Sequence, residues 1–218
     1  DELMAAGVPI RRKAIFVGPP GTGKTTLAHH LSARLGLPLL EVGTENLIDC
    51  WLGSSSRNIG ALFDIIAESP PLVMMIDEFD SIGHKRTAAR HGSDNERNGW
   101  VNTLLRRMDA YGGFMLAASN MAEELDQAIW RRFDIHISLG LPGKAETMRI
   151  LARYLSPYVL SPAALVKLAD AFETASPALM RQWCEAIKRN IVIGERLGWP
   201  MERGAVVSRI VASIKPQP

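Results

Sequence analysis

Gly18-Pro19-Pro20-Gly21-Thr22-Gly23-Lys24-Thr25, preceded by the apolar run Ala14-Ile15-Phe16-Val17, is the stretch from which the rest of the chain is read. It fits the spacing of a glycine, four residues and then Gly-Lys-Ser/Thr, a loop that cradles phosphate. Glycines let the backbone fold around an anion without Cβ clashes, so several N–H groups converge on it. The helix opening at the loop adds the partial positive charge of its N-terminus. Lys24 brings a compact cation to the outer phosphates, and a hydroxyl such as that of Thr25 ligates Mg²⁺. A strand before the loop and a helix after it separate this motif from an ordinary Gly/Pro turn. The stretch predicts a bound nucleoside triphosphate.

With 218 residues the chain can form one domain with a sizeable core, or a domain plus a small satellite. Apolar residues at 47% and charged residues at 22% exclude a disordered chain. A net charge of +2 is too weak to argue for nucleic acid or an anionic membrane. The cysteines, Cys50 and Cys184, suit a reducing cytoplasm rather than a disulfide scaffold. No apolar run of the sequence has the length of a membrane span, and no signal peptide is expected. The chain opens on Asp1 and reaches the loop after only seventeen residues, as expected of a piece of a longer protein.

Ala14–Val17 reads as a buried strand and Thr25–Leu35 as the helix after it, with Leu27, Leu31 and Leu35 on one stripe. Gly36 is placed to stop that helix and Pro38 forbids its continuation. Leu39–Val42 reads as a second strand, and Asn58–Ala67 as a helix with Ile59, Leu62, Phe63 and Ile66 together. Leu72–Ile76 and Phe114–Ala118 are continuous apolar runs, the mark of central strands covered on both faces. Ile135–Leu139 reads as an edge strand. Strands alternating with helices predict an α/β fold, an αβα sandwich on a central parallel sheet over 1–141. From 142 to 218 the pattern is helical, a small lid of four helices. Ser161-Pro162 and Ser176-Pro177 are N-caps with proline at N1, and the last helix runs from about Glu202 to Ile214.

Ligands on such sheets lie at the carboxyl ends of the strands, so the residues past Val17, Ile76 and Ala118 are expected to share one crevice. Asp77, at the tip of a buried strand, calls for a cation, and Mg²⁺ held by Thr25 would supply it. Glu78 is then suited to orient or deprotonate an attacking water. Asp80 reads better as a cap of the following helix. Asn120 fits two roles: a capping box with Glu123, or a group that positions the water. Trp51 fits either a core position near Cys50 or a functional loop. Arg131 and Arg132, by themselves, read as a solvated basic pair. His84, His91 and Cys184 lack metal-ligand spacing. The basic residues Lys85, Arg86, Arg90, Arg97, Arg106 and Arg107 around the polar stretch His84–Gly99 read as solvated surface.

Gly18–Thr25, Leu72–Asp80, Ala117-Ala118-Ser119-Asn120 and Leu125–Asp134 occur in an order and spacing that resembles an AAA ATPase module. The resemblance covers about Gly7 to Arg189. It is closest to the AAA family proper, which includes the katanin and spastin group. It implies ATP and Mg²⁺ as nucleotide and metal, with Gly18, Pro19, Pro20, Gly21, Thr22, Gly23, Lys24, Thr25, Thr26 and Asp77 binding them. Glu78 would be the hydrolytic carboxylate and Asn120 the sensor beside it. Arg131 and Arg132 match arginine fingers that act on a neighbouring subunit, which implies a homo-oligomeric ring, usually a hexamer. Trp51-Leu52-Gly53 matches a pore loop that grips an extended polypeptide.

There are departures from the family pattern. Ser54-Ser55-Ser56 replaces an acidic step after the pore loop, and Ser176-Pro177-Ala178-Leu179 replaces the usual Ser-Gly-Ala-Asp. Arg181 stands only close to the second sensor position. Asp109 resembles the intersubunit-signalling aspartate, but the segment Ala110–Gly113 after it is short. The expected function is ATP-driven unfolding, threading or remodelling of a protein partner. The rival readings are an AAA+ ATPase acting on DNA, and an assembly switch in which ATP orders a scaffold.

Overall fold

The computed structural model describes residues 5–8, 10–44, 54–82, 92–200 and 202. Trp51-Leu52-Gly53, Cys50, His84, His91, Lys85, Arg86, Arg90 and the expected last helix beyond Glu202 lie outside the described residues. Contacts divide the chain into two compact units, Asp1–Pro19 with Gly23–Leu139, and Pro20–Thr22 with Gly140–Pro218.

In the first unit, strand β1 (Lys13–Val17) is followed by helix α1 (Lys24–Leu35), β2 (Leu39–Val42), α2 (Ser54–Glu68) and β3 (Val73–Ile76). Then come α3 (Gly92–Ala110), β4 (Phe114–Ser119), the single turn α4 (Gln127–Trp130) and β5 (Ile135–Ser138). The strands form one five-stranded sheet in the order β2-β3-β4-β1-β5, with every pairing parallel. This is the α/β arrangement that the alternating pattern predicts, with β5 at an edge.

The apolar runs serve both faces because successive side chains of a strand point to opposite sides. Ile15 and Val17, Met74 and Ile76, and Met115 and Ala117 meet Ile59, Phe63 and Ile66 of α2 and Val101, Leu104 and Met108 of α3. Ala14 and Phe16, Val73 and Met75, and Leu116 and Ala118 meet α1 through Ala28, with Leu27 and Leu31 beside it. The expected stripe of α1 fails at its end: Leu35 is 48% exposed, while the small Ala28 is fully buried and lets the helix lie close to the sheet. Gly36 then ends the helix in the left-handed region, at φ +67°, its N–H bonded back to the carbonyls of Ser32 and Ala33.

The second unit contains α5 (Lys144–Leu155), α6 (Pro162–Ala171) and α7 (Pro177–Leu197) around Leu151, Leu155, Phe172, Met180 and Cys184. Ser161 and Ser176 cap α6 and α7 as expected, accepting from the Ala164 and Leu179 N–H groups at 3.3 Å. Proline follows each cap, where a missing N–H costs nothing. Burial pushes the Cys184 thiol up to about 11, so it remains protonated and unreactive at neutral pH. Among the described residues no helix is long and apolar enough to cross a membrane.

Phe16 is wholly buried between β4 and β5 on the α1 face. Phe16→Ala is expected to destabilise the protein by about 3–5 kcal/mol, read as a lowered urea midpoint. A loss below about 1 kcal/mol would contradict a close-packed second face.

Candidate functional site

Sheet order brings the chemistry-bearing residues together. β4 lies between β1 and β3, with Val17 opposite Ser119 and Ala117 opposite Ile76. The residues that follow β1, β3 and β4 therefore emerge side by side at the carboxyl edge. Gly18 leaves β1 at φ +149°, its N–H donating to the Ser119 carbonyl at 3.2 Å. A Cβ there would lie 2.0 Å from the Leu139 carbonyl oxygen, so only glycine fits. Gly23 begins α1 in the left-handed region, at φ +98°. Pro20, Gly21 and Thr22 group with the second unit, and Gly21 has φ +75°.

Lys24 is the first residue of α1, and only 7% exposed. A buried ammonium needs an acceptor for each of its three protons. Lys24 Nζ donates to Gly18 O at 2.7 Å, Pro19 O at 3.0 Å and Asn120 Oδ1 at 2.7 Å. Burial pushes its pKa below the ordinary lysine value, while the charges of Asp77 and Asp80 act against that shift.

Thr25 Oγ1 donates to Asp77 Oδ2 at 2.9 Å, joining the first turn of α1 to the end of β3. A hydroxyl and a carboxylate in contact are the hard oxygen donors that Mg²⁺ prefers, so these residues fit that ion. The other Asp77 oxygen accepts the Glu78 N–H at 2.8 Å. Glu78 is exposed and left-handed, at φ +48° and ψ +41°, on entering a 3₁₀ turn over Phe79–Ser81. Thr26 is exposed on α1.

One sequence expectation changes. The capping box of Asn120 and Glu123 does not form: the short turn Ala122–Glu124 is capped at Met121 without a side-chain bond. Asn120 turns its side chain to Lys24 instead, since a buried ammonium is the stronger partner. For Asp80 the structure adds a partner far along the chain, while the residues that lead into the following helix lie outside the described residues. The Asp80 carboxylate accepts the Asn120 N–H at 3.1 Å and so ties the end of β4 to the turn after β3. Ser119, Asp80 and the Leu139 carbonyl were not legible as site groups, because their partners are 40 to more than 100 residues away in sequence.

The two arginines differ. Arg132 is held within its own chain, its guanidinium bonding both Asp109 oxygens at 3.0 Å and the Ala128 carbonyl at 2.9 Å. Arg131 is exposed and makes no side-chain bond among the described residues. The segment that carries them is anchored beside the first residue of β1: Asp134 N–H donates to Lys13 O at 2.9 Å, and its carboxylate accepts from the Arg12 and Lys13 N–H groups at 3.2 Å. That is the amino end of the strand whose carboxyl end carries the phosphate loop. Among the other basic residues, Arg107 pairs with Asp64, and Arg181 pairs with Glu185 on the exposed face of α7.

The model of the family named ATPase family associated with various cellular activities, AAA, matches residues 14–141. The chain belongs to the AAA family. It is 38% identical over 197 residues to the AAA family ATPase y4kL of Sinorhizobium fredii, covering 88% of this chain and 58% of that protein. It is 32% identical over 211 residues to the ATP-dependent zinc metalloprotease FtsH 1 of Symbiobacterium thermophilum, covering 92% of this chain and 35% of that one. A chloroplastic ATP-dependent zinc metalloprotease, FTSH 6 of Oryza sativa subsp. japonica, is 36% identical over 149 residues, 65% of this chain and 22% of its own. The chain thus spans little more than half of the first of these relatives and about a third of the second. As an AAA module it is an ATPase that uses ATP with Mg²⁺.

Gly18→Ala is expected to abolish binding of a fluorescent ATP analogue, because the added Cβ would have to displace the Leu139 carbonyl. Binding within twofold of the parent protein would contradict the close approach of loop and strand.

Proposed function

We propose that this module hydrolyses ATP at a site shared between protomers of a ring, and that the ring works on a protein partner. The observation that carries this reading is the cluster of Lys24, Thr25, Asp77, Glu78 and Asn120, with the segment that carries the exposed Arg131 anchored through Asp134 at the opposite end of β1. Lys24 and the backbone of Gly18–Thr25 bind the phosphates. Thr25 and Asp77 hold Mg²⁺, which when bound neutralises phosphate charge. Asn120 positions the attacking water and Glu78 takes its proton. Arg131 spreads positive charge over the phosphoryl group bound by the neighbouring protomer.

Residues 1–141 would form the nucleotide-binding subdomain and 142–218 its helical lid, in a cytoplasmic, hexameric assembly. The metalloprotease names of the FtsH relatives favour a protein as the partner. Trp51-Leu52-Gly53 would be the loop that grips it.

Lys24→Ala should lose ATP binding, because the cation facing the phosphates is gone. Glu78→Gln should keep ATP binding and lose turnover by about a hundredfold or more, since the general base is removed. Equilibrium binding with single-turnover hydrolysis checks both, and normal turnover in Glu78→Gln removes that residue from its role. For the shared site, specific ATPase activity should rise with protein concentration. Arg131→Ala and Glu78→Gln, each inactive alone, should regain activity when mixed. Flat specific activity and no recovery would sink the ring reading.

A further inference from the structure

Glu78 is the one non-glycine residue with positive φ among the described residues. Such a conformation is strained and persists only where the surroundings hold it. Its N–H donates to Asp77, and its carbonyl accepts from the Ser81 N–H at 2.9 Å and the Ser81 hydroxyl at 2.8 Å. A further hold is the next residue. Phe79 is 0% exposed, and its ring meets that of Phe133 edge-on, with centroids 5.6 Å apart and planes at 84°.

Phe133 is itself 3% exposed, and it directly follows Arg131-Arg132. Arg132 is pinned to Asp109 on one side of it and Asp134 to Lys13 on the other. Two segments assigned above to different active sites therefore meet inside one chain, through the Phe79–Phe133 ring pair. An edge-to-face pair is directional and adds attraction beyond the area it buries. The ring pair is thus a contact shared by the strained turn at Glu78 and the segment that presents Arg131.

We propose that the Phe79–Phe133 pair positions two active sites at once: the hydrolytic turn of its own protomer and the arginine that serves its neighbour. The proposal rests on the ring reading above. Both phenylalanines are positioning residues, since neither reaches the reacting atoms. The pair gives the ring a direct mechanical link, because any movement of the turn carrying Glu78 is felt by the segment that carries Arg131.

The test is Phe133→Leu, which keeps an apolar side chain and removes the ring. KM for ATP should stay within twofold, because Lys24 and Thr25 are untouched, while kcat should fall by about ten- to a hundredfold through misplacement. Mixing then separates the two roles. Glu78→Gln supplies an intact arginine, and Arg131→Ala supplies an intact hydrolytic turn. If Phe133 positions both sites, Phe133→Leu regains activity with neither partner, and Phe79→Leu behaves the same way. Recovery with Glu78→Gln alone would confine the role of Phe133 to the arginine; recovery with Arg131→Ala alone would confine it to Glu78. Either result overturns the proposal. So does a variant that no longer assembles or binds ATP by sedimentation and nucleotide titration, because the contact would then serve the fold. The mixture of Arg131→Ala with Glu78→Gln is the control. If it regains nothing, the ring reading fails and takes the neighbour's half of the proposal with it, while kcat of Phe133→Leu at unchanged KM still decides the Glu78 half.

Discussion

A buried ammonium needs acceptors, and the arrangement of the site follows from the acceptors that Lys24 finds. Two are carbonyls of the phosphate loop and the third is Asn120, at the end of a strand 96 residues further along. Leaving such a group without partners would cost several kcal/mol. The loop must therefore turn its carbonyls inward, which Gly18 and Gly23 allow through positive φ. β4 must also lie directly beside β1, which sheet order provides. Asp77 and Asp80 add nearby negative charge that favours the protonated form against burial.

The sheet gives that site a rigid base. Each central strand contributes alternate side chains to two separate clusters, so neither face can slip by one residue without exchanging them all. Carboxyl ends held in register at Val17–Ser119 and Ala117–Ile76 keep the loop, Asp77 and Asn120 in place. The bond from the Asn120 N–H to Asp80 and that from Thr25 to Asp77 then cross between elements, so the turn after β3 is tied to both of its neighbours.

A second set of ties fixes the segment between β4 and β5. Arg132 bonds Asp109 in bidentate fashion, a half-exposed pair that fixes geometry more than it adds stability, since exposed pairs contribute only about 0–1 kcal/mol. With Arg132 committed in this way, Arg131 lies at the surface with no side-chain bond among the described residues. The two adjacent arginines, alike in sequence, thus divide into a strut and an available cation. The division follows from which of them faces the end of α3.

Much of this was legible in the sequence because it depends on local chemistry. The phosphate loop is a spacing of residue types, the central strands are unbroken apolar runs, and Ser161 and Ser176 cap their helices with bonds that span three residues. The parallel sheet and the carboxylate at the end of β3 follow from the same reading. What the sequence could not settle were choices between partners far apart in the chain. Asn120 had a capping partner three residues away and a cation 96 residues away, and burial of the cation decided between them. Asp80 likewise meets the Asn120 backbone 40 residues away, and Arg132 turned from solvent to Asp109. Leu35 matched the apolar period of α1 but reached no sheet. Residue types and their spacing determined the elements and the chemistry available, because those depend on neighbours along the chain. Tertiary structure alone decided which polar groups meet, because in a buried site each takes the strongest partner that packing brings within reach.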